Sequence, residues 1–301
     1  NSGVLTDPFL TIQYAIDQAQ DDDFIHVAAG TYVENIDYNG KNISIIGEDR
    51  ETTIIDGGQN GPVVECFHVE NTYFTPVLKR VTLINGSGKN YESNILGGGV
   101  FASYSDPQLD DVKITNCSSN LGSAIYVSNS SSSDTIRISN CLFTDNTAGY
   151  NDGTIHATSG ILRIESTVVS ENSSGGGIFS NGLESLTIVN SSIVNNANYM
   201  GVMLQTGTNK IINSIISGND STQLRILNSA DLTVEYCNVD GGGEGVLIEN
   251  DAVLNWSNGN IDVSPMFADT ANGNYHLLAS SQLINAGHPD STDSDGSRAD
   301  M

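Results

Sequence analysis

Basic residues are scarce in this sequence. The chain of 301 residues has 11 Lys and Arg against 36 Asp and Glu, which gives a formal net charge of −25. This balance disfavours nucleic acids and anionic membranes as partners, because both bind basic surfaces. It also disfavours an anionic polysaccharide, unless Ca²⁺ or a local basic patch offsets the repulsion. An acidic composition rich in Asn and Ser is typical of extracellular proteins.

Long apolar runs and zinc-binding cysteine motifs are absent as well. No stretch is long and apolar enough to cross a membrane, so we expect no membrane insertion. The chain has four cysteines, and none stands in C-x-x-C spacing or at zinc-ligand distance from a His. The sequence therefore predicts neither a membrane span nor a zinc site.

What the sequence does contain is a repeat of 23 to 26 residues. A two-residue segment recurs at that interval at positions 116–117, 140–141, 166–167, 190–191, 213–214 and 236–237. Two apolar columns keep nearly the same interval, and they contain Val100, Ile125, Ile155, Ile178, Val202, Leu224 and Val246, and Ile114, Ile138, Ile164, Ile188, Ile211 and Val234. Apolar and polar residues alternate around each column, as in strands with one buried face. The repeat predicts an all-β, single-domain parallel β-helix with three strands per coil.

Two features of the repeated segment suggest specific contacts. The asparagines Asn116, Asn140, Asn190 and Asn213 would form an inward hydrogen-bonded ladder or serve only as turn residues. Cys117 and Cys141 would lie in neighbouring coils, where either a disulfide bridge or two stacked buried thiols fits the strand spacing.

The two ends differ from the repeat in the middle. Apolar spacing over residues 10–20 predicts a short amphipathic helix, which would cover the open end of the solenoid. We therefore divide the chain into an amino-terminal cap (1–60), β-helix coils (61–260) and a carboxyl-terminal tail (261–301).

Short motifs in both ends carry a family resemblance. The amino-terminal segments TIQ-x-AI-x-x-A (11–19), DFIHV (23–27), GTYVE (30–34) and ISIIG (43–47) resemble right-handed parallel β-helix proteins of the pectin-lyase-like superfamily. The tail segments PMF (265–267), NYHL (274–277) and INAG (284–287) resemble a bacterial secreted subgroup of the choice-of-anchor Q type. The resemblance implies a right-handed solenoid, a secreted or cell-surface location, and a longer parent protein with a signal peptide and an anchor.

An outward stripe of large side chains is the best functional signal in the sequence. If the Val100 column points inward, the following residues point outward: Phe101, Tyr126, His156, Phe179, Met203, Arg225 and Leu247. Exposed apolar surface marks binding sites, and sugar rings stack on aromatic faces. Long segments at 86–98 and 144–152 carry Tyr91 and Tyr150 beside the stripe, which predicts a groove for a chain-like ligand. The alternatives are a stripe covered by the tail or another subunit, or a different strand register.

Catalytic signals are weaker. The resemblance implies either a Lys or Arg base assisted by Ca²⁺, as in lyases, or paired carboxylates, as in hydrolases. Neither forms a compact motif, and His156 with Asp152 is the one His–carboxylate pair near the stripe. A second column contains Lys113, Arg137, Arg163 and Lys210. It would bind carboxylated or sulfated sugars, or its cations would pair with neighbours such as Asp111, Glu165 and Glu235, which we favour.

The acidic tail is a candidate calcium loop. Alternating carboxylates around a Gly turn can supply oxygen ligands, and the candidate ligands are Asp290, Asp293, Asp295 and Asp300. The spacing departs from the EF-hand pattern, and a disordered acidic end is the rival interpretation. No cofactor is required by the sequence; Ca²⁺ is the single candidate.

Three functions follow from these features. The first is an extracellular module that binds carbohydrate or mediates adhesion through the stripe. The second is a polysaccharide lyase or glycoside hydrolase acting on the same face. The third is a structural subunit of a surface fibre or layer, in which self-association or another surface protein buries the stripe.

Overall fold

The computed structural model describes residues 3–67, 73–128, 135–149, 151–293 and 295–301. In these ranges the chain is mostly β-structure, with one α-helix, α1 (Ile12–Gln18), and 3-10 turns at Gly243–Gly245 and Thr270–Asn272. In chain order the strands are β1 (Phe24–Val27), β2 (Gly30–Val33), β3 (Ile36–Asp37), β4 (Ser44–Gly47), β5 (Thr53–Asp56), β6 (Val64–Phe67), β7 (Val77–Ile84), β8 (Lys89–Tyr91), β9 (Asn94–Leu96), β10 (Val100–Ser103), β11 (Gln108–Thr115), β12 (Ile125–Ser128), β13 (Thr135–Ser139), β14 (Leu142–Thr144), β15 (Gly153–Ala157), β16 (Ile161–Glu165), β17 (Val168–Ser170), β18 (Gly176–Ser180), β19 (Ser185–Val189), β20 (Ser192–Val194), β21 (Val202–Leu204), β22 (Thr208–Ile212), β23 (Ile215–Ser217), β24 (Leu224–Ile226), β25 (Asp231–Glu235), β26 (Asn238–Val239), β27 (Leu247–Ile248), β28 (Val253–Trp256), β29 (Phe267–Asp269) and β30 (Asn274–Leu277).

The strands stack in parallel, coil upon coil, in three columns. The first column is a nine-stranded sheet in the order β3, β6, β10, β12, β15, β18, β21, β24 and β27. The second column runs from β1 and β4 to β25 and β28, and the third from β2 and β5 to β23 and β26. The long strands β7 and β11 each span both of these columns. The predicted all-β parallel solenoid is confirmed, and the first strands of the predicted cap belong to the same columns.

The short helix closes the amino-terminal end of the core, as its apolar spacing predicts. Ile12 and Ile16 are buried in the main core cluster. Both free helix ends find partners, since the Glu34 carboxylate accepts from the backbone N–H of Ile12 and Gln13, each at 3.0 Å. At the other end Lys41 Nζ donates to the Ile16 carbonyl at 2.7 Å. No helix among the described residues is long and apolar enough to span a membrane.

The predicted register of the first coil is wrong. Ile114 lies in the third column opposite Phe143, and it is Leu109 that lies opposite Ile138. Lys113 is likewise opposite Leu142 rather than beside Arg137. The error arises because each coil has two sharp bends that favour the same residue types. Asn116 and Asn140 are one period apart in the sequence, but they lie at different bends of their coils.

Both bends require a left-handed backbone. The bend between the second and third columns has positive φ at Asp111, Asn140, Ser166, Asn190, Asn213 and Tyr236. The bend after the third column has positive φ at Asn116, Asp145, Glu171 and Asn195. Asn and Asp tolerate this conformation better than most residues, so turn chemistry explains the repeated asparagines. Asn116, Asn140 and Asn190 are exposed, and the predicted inward ladder of these residues is wrong.

An inward asparagine ladder does exist, at a different position of the coil. Asn146 Nδ2 donates to Asn172 Oδ1 at 3.1 Å, and Asn172 Nδ2 donates to Asn196 Oδ1 at 2.9 Å. Asn196 Nδ2 in turn donates to Asn219 Oδ1 at 2.9 Å, and Asn219 Nδ2 donates to Gln223 Oε1 at 2.7 Å. Each of these amides is buried, so the ladder satisfies polar groups that water cannot reach.

The four cysteines are free, buried thiols. Cys117 lies level with Asn146, whose Oδ1 accepts from its backbone N–H at 3.0 Å. It is therefore not the coil equivalent of Cys141, and the disulfide alternative is wrong for that reason. Burial raises the pKa of Cys117, Cys141 and Cys237 to about 12, so these thiols are poor nucleophiles in the folded state.

The carboxyl-terminal tail folds back over the outward face of the third column. Leu283 and Met301 form a cluster with Val194 of β20 and Ile215 of β23. The Tyr275 hydroxyl lies 3.0 Å from a Glu171 carboxylate oxygen, to which it donates. The tail therefore covers the third column and not the stripe on the first.

We expect Asn172→Ala to destabilise the fold by about 3 kcal/mol, because it leaves buried donors and acceptors of the ladder without partners. Asn181 is exposed, and Asn181→Ala should change the free energy of unfolding by less than about 0.5 kcal/mol. Urea unfolding of both variants measures the difference. Equal stability of the two would show that the ladder contributes nothing.

The docked tail should loosen at alkaline pH. Burial raises the pKa of Tyr275 to about 12, and the Glu171 carboxylate adds to the rise. Because the folded pKa lies above the ordinary value of 10.0, the neutral phenol contributes stability in full below about pH 10, and this is lost as pH approaches 12. Tyr275→Phe should flatten that decline in thermal midpoint, whereas Tyr91→Phe, a change at an exposed phenol, should follow the wild type.

Candidate functional site

A single register row runs along the outward face of the first column. Cα partners in neighbouring strands place its members side by side. We call it the outward row, and its members are Asp37, Glu65, Phe101, Tyr126, His156, Phe179, Met203, Arg225 and Leu247. The structure thus brings together the predicted stripe and extends it by two coils towards the amino terminus.

The centre of the outward row is buried, which corrects the prediction of exposed rings. The exposed fractions of Phe101, His156 and Phe179 are 4%, 5% and 8%. Tyr199 and Leu227, from the bends beside the column, pack against Phe179 and Met203. Burying apolar surface in this way stabilises the folded chain.

The rings form a continuous stack. Phe101 and Tyr126 are nearly parallel, with centroids 6.0 Å apart. His156 lies 5.2 Å from Tyr126 and 4.8 Å from Phe179. Such contacts add to the stability of the sheet, so much of the outward row is a packing feature.

The row is accessible at its two ends and at Tyr126, which lies between the buried rings of Phe101 and His156. Tyr126 is half-buried, and burial raises its pKa, with smaller contributions from the Asp152 carboxylate and the Tyr91 phenol nearby. Tyr91 itself is 56% exposed. Arg225 donates to Glu249 Oε2 at 2.6 Å, so its charge is balanced. Tyr150, the remaining predicted contact residue, lies outside the described residues.

His156 and Asp152 form a buried pair. Asp152 Oδ2 lies 2.6 Å from His156 Nδ1, and Asp152 Oδ1 accepts from the backbone N–H of Gly122 and Gly153 at 3.0 and 2.8 Å. The carboxylate therefore holds the imidazole and two turns of backbone in one network. This places the two predicted catalytic residues together, with His156 inside the buried ring stack rather than in an open site.

An open cleft lies at the amino-terminal end of the outward row. It has a volume of about 520 Å³, and the antiparallel hairpin of β8 and β9 forms one of its walls. Lys89 Nζ on that hairpin lies 2.7 and 2.9 Å from the two carboxylate oxygens of Glu65 on β6. Asp37 of β3 lies beside Glu65 in the register. The other polar lining side chains are Asn35, Gln59, Asn60, Ser87 and Asn90.

The predicted column of basic residues is present only in part, because Lys113 lies outside it. The column of basic residues keeps Arg137, Arg163 and Lys210 in one row, and the latter two pair with Glu165 at 3.0 Å and Glu235 at 2.8 Å. This supports the interpretation of paired surface cations. Asp111, the expected partner of Lys113, pairs with Arg50 instead, at 3.0 Å.

The acidic tail forms a hydrogen-bonded turn. Asp295 Oδ1 accepts from the Ser297 hydroxyl and backbone N–H, and Asp300 Oδ1 accepts from the Asn285 N–H at 2.6 Å. In the part of the chain that the structure describes, no three His, Cys, Asp or Glu side chains lie close enough to hold a metal ion. The calcium site at Asp290, Asp293, Asp295 and Asp300 stays a prediction.

Comparison with known proteins agrees with the architecture. The family model described as the right-handed β-helix region matches residues 123–276. The chain belongs to the right-handed β-helix family. No curated protein matches the chain.

A solved structure of a pectate lyase shares the fold of this β-helix. Pectate lyase Pel9A is similar with a TM-score of 0.58 and 16% identity, covering 98% of this chain and 90% of that one. A pectin methylesterase in complex with hexasaccharide VII has a TM-score of 0.45 and 12% identity, covering 92% and 97% of the two chains. Pectin methylesterase from carrot has a TM-score of 0.40 and 15% identity, covering 87% and 86%. The resemblance to pectin-lyase-like proteins is confirmed for the fold, and the anchor subgroup stays a prediction.

The sequence interpretation missed Asp37 and Glu65. Both follow an inward apolar residue, Ile36 and Val64, just as Phe101 follows Val100. This alternation of inward and outward residues is the signal that would have placed Asp37 and Glu65 in the row. Both residues are charged, and they lie within or just after the predicted amino-terminal cap, so the apolar pattern of the stripe does not include them.

We expect Asp152→Ala to destabilise this β-helix by about 3 kcal/mol, since two backbone donors and His156 Nδ1 lose their shared acceptor. Asp152→Asn keeps one oxygen for the backbone donors and should cost less. Thermal and urea unfolding measure both, with the exposed Asp251→Ala as control. If Asp152→Ala is as stable as the control, the pair has no structural role.

Proposed function

We propose that this β-helix binds a carbohydrate chain in the amino-terminal cleft and on the adjoining rings of Tyr91 and Tyr126. The observation that carries the proposal is the open cleft of about 520 Å³ at the end of the outward row. Ligand sites are concave and combine apolar surface with a few convergent polar groups. The cleft supplies carboxylate, amide and ammonium groups, and the two tyrosines supply ring surface.

The surroundings support a sugar more than another ligand class. Sugar hydroxyl groups can donate to Asp37 and Glu65 and accept from Lys89 and the amide of Asn60. A pectate lyase shares the fold over nearly the whole chain, which is consistent with a carbohydrate partner. An extracellular or cell-surface location is part of this proposal, supported by the acidic composition. Adhesion to a glycan-coated surface would use the same contacts.

A second candidate function is cleavage of the bound chain. Asp37 and Glu65 lie on neighbouring strands and both line the cleft. Paired carboxylates are the groups that glycoside hydrolases use as acid and base. Cleavage would release new reducing ends, or unsaturated ends if a lyase reaction occurs, so one assay can distinguish binding from catalysis.

We expect the wild-type β-helix to bind at least one member of a polysaccharide panel in affinity electrophoresis, with Ca²⁺ present. Tyr91→Ala should weaken that binding about tenfold, because one ring surface is lost. Phe24 is also exposed but lies on the second column, so Phe24→Ala is the matched control and should bind like the wild type.

Each result of the panel has one meaning. Retention without new chain ends supports binding, and retention with new ends makes the protein an enzyme at this cleft. Absence of retention on every polysaccharide contradicts the proposal, as does equal loss of binding in Tyr91→Ala and Phe24→Ala.

A further inference from the structure

We infer that the ligand of the amino-terminal cleft is an uncharged polysaccharide, one that bears neither carboxylate nor sulfate groups. This inference rests on the proposed function and specifies its substrate class. It sets the protein apart from the pectate lyase that shares its fold, because pectate is a polyanion.

The cleft itself is acidic. Among the described residues, its charged lining residues are Asp37, Glu65 and Lys89, so two carboxylates face one ammonium group and their formal charges sum to −1. That ammonium group is already engaged by both oxygens of Glu65, at 2.7 and 2.9 Å. A ligand carboxylate would have to displace Glu65 and would then lie close to two like charges, which is unfavourable in a partly buried site.

The rest of the outward row offers no compensating cation. Arg225 is the other basic residue in the row, and its guanidinium is held by Glu249, with Nε at 2.9 Å and Nη2 at 2.6 Å from Oε2. Asp152 contacts His156 of the row and adds a carboxylate near Tyr126. A polyanion that follows the row would therefore meet cations that are already neutralised by the protein.

The whole molecule reinforces the local field. With a net charge of −25, the protein repels a polyanion before contact. This long-range repulsion is screened over roughly 10 Å at moderate salt, whereas the local balance in the cleft is screened less. Binding of a polyanion should therefore remain weak even when added salt removes the long-range repulsion.

A neutral sugar chain fits the same groups without this penalty. Its hydroxyl groups can donate to the carboxylate oxygens of Asp37 and Glu65, each of which has two lone pairs, while the Glu65–Lys89 pair stays intact. Amide groups of Asn60 and Asn90 can both donate and accept. The ring faces of Tyr91 and Tyr126 accept the C–H surface of a sugar whatever its charge.

The test uses two polymers with one backbone, polygalacturonate and the galactan obtained by reducing its carboxyl groups. We expect the reduced galactan to bind the wild-type protein at least about tenfold more tightly than polygalacturonate, with either Ca²⁺ or a chelator present. A panel of other neutral polysaccharides is measured in the same titration calorimetry. The preference should persist at high salt.

Glu65→Gln provides an independent readout, because it releases Lys89 and removes one carboxylate. Polygalacturonate should then bind about tenfold more tightly than it binds the wild type, and its binding should weaken as salt is added. Glu244 is exposed in a 3-10 turn away from the cleft, and Glu244→Gln should leave the preference unchanged. Thermal unfolding confirms that both variants are folded.

The failures are distinguishable. If polygalacturonate binds the wild type as tightly as the reduced galactan, with or without Ca²⁺, the inference is overturned and the carbohydrate site stands. If no neutral or charged polysaccharide binds, the proposed function falls and the inference falls with it. If Glu65→Gln leaves polygalacturonate binding unchanged, the charge of the cleft does not select the ligand.

Discussion

Stacking of each coil on the next, in register, is the constraint on which this structure depends. A parallel strand must align its hydrogen bonds with both neighbours, and a shift of one residue would turn every inward side chain outward. Ile125, Ile155 and Ile178 share one position of successive coils for this reason. The two left-handed bends in each coil keep that register, because they return the chain to the same column after a nearly constant length.

The fold was predictable from the sequence because stacking repeats itself. Alternation around Ile138, Ile164 and Ile188 reports a buried face directly, and the period reports the coil. The first coil was not predictable from period alone. From Asp111 to Asn140 it is longer than the coils that follow it, and Asn116 occupies a bend with the same left-handed backbone as the one at Asn140. Residue type could not separate two bends with the same backbone requirement.

The candidate site, like the fold, was predictable from the sequence only in part. The residues of the outward row could be predicted from the strand alternation, since each one follows an inward apolar residue. Exposure was a different matter, because the side chains that cover Phe179 and Met203 come from bends whose path no strand pattern describes. The cleft required a three-dimensional view as well: Lys89 and Glu65 are separated by 24 residues and meet only because a hairpin overhangs the first column.

The asparagine ladder gives the solenoid a polarity. Within the ladder, every amide from Asn146 to Asn219 donates to the next amide on the carboxyl-terminal side, so the side-chain bonds run in one direction along the axis. The same nitrogens also donate to backbone carbonyls of the preceding coil. The row is terminated at both ends, by the Cys117 N–H on one side and by Gln223 Oε1 on the other. Aligned amides polarise one another, whereas the surrounding β-sheets have little net dipole. The core therefore contains a row of side-chain amides whose order along the axis cannot be reversed without breaking each of these bonds.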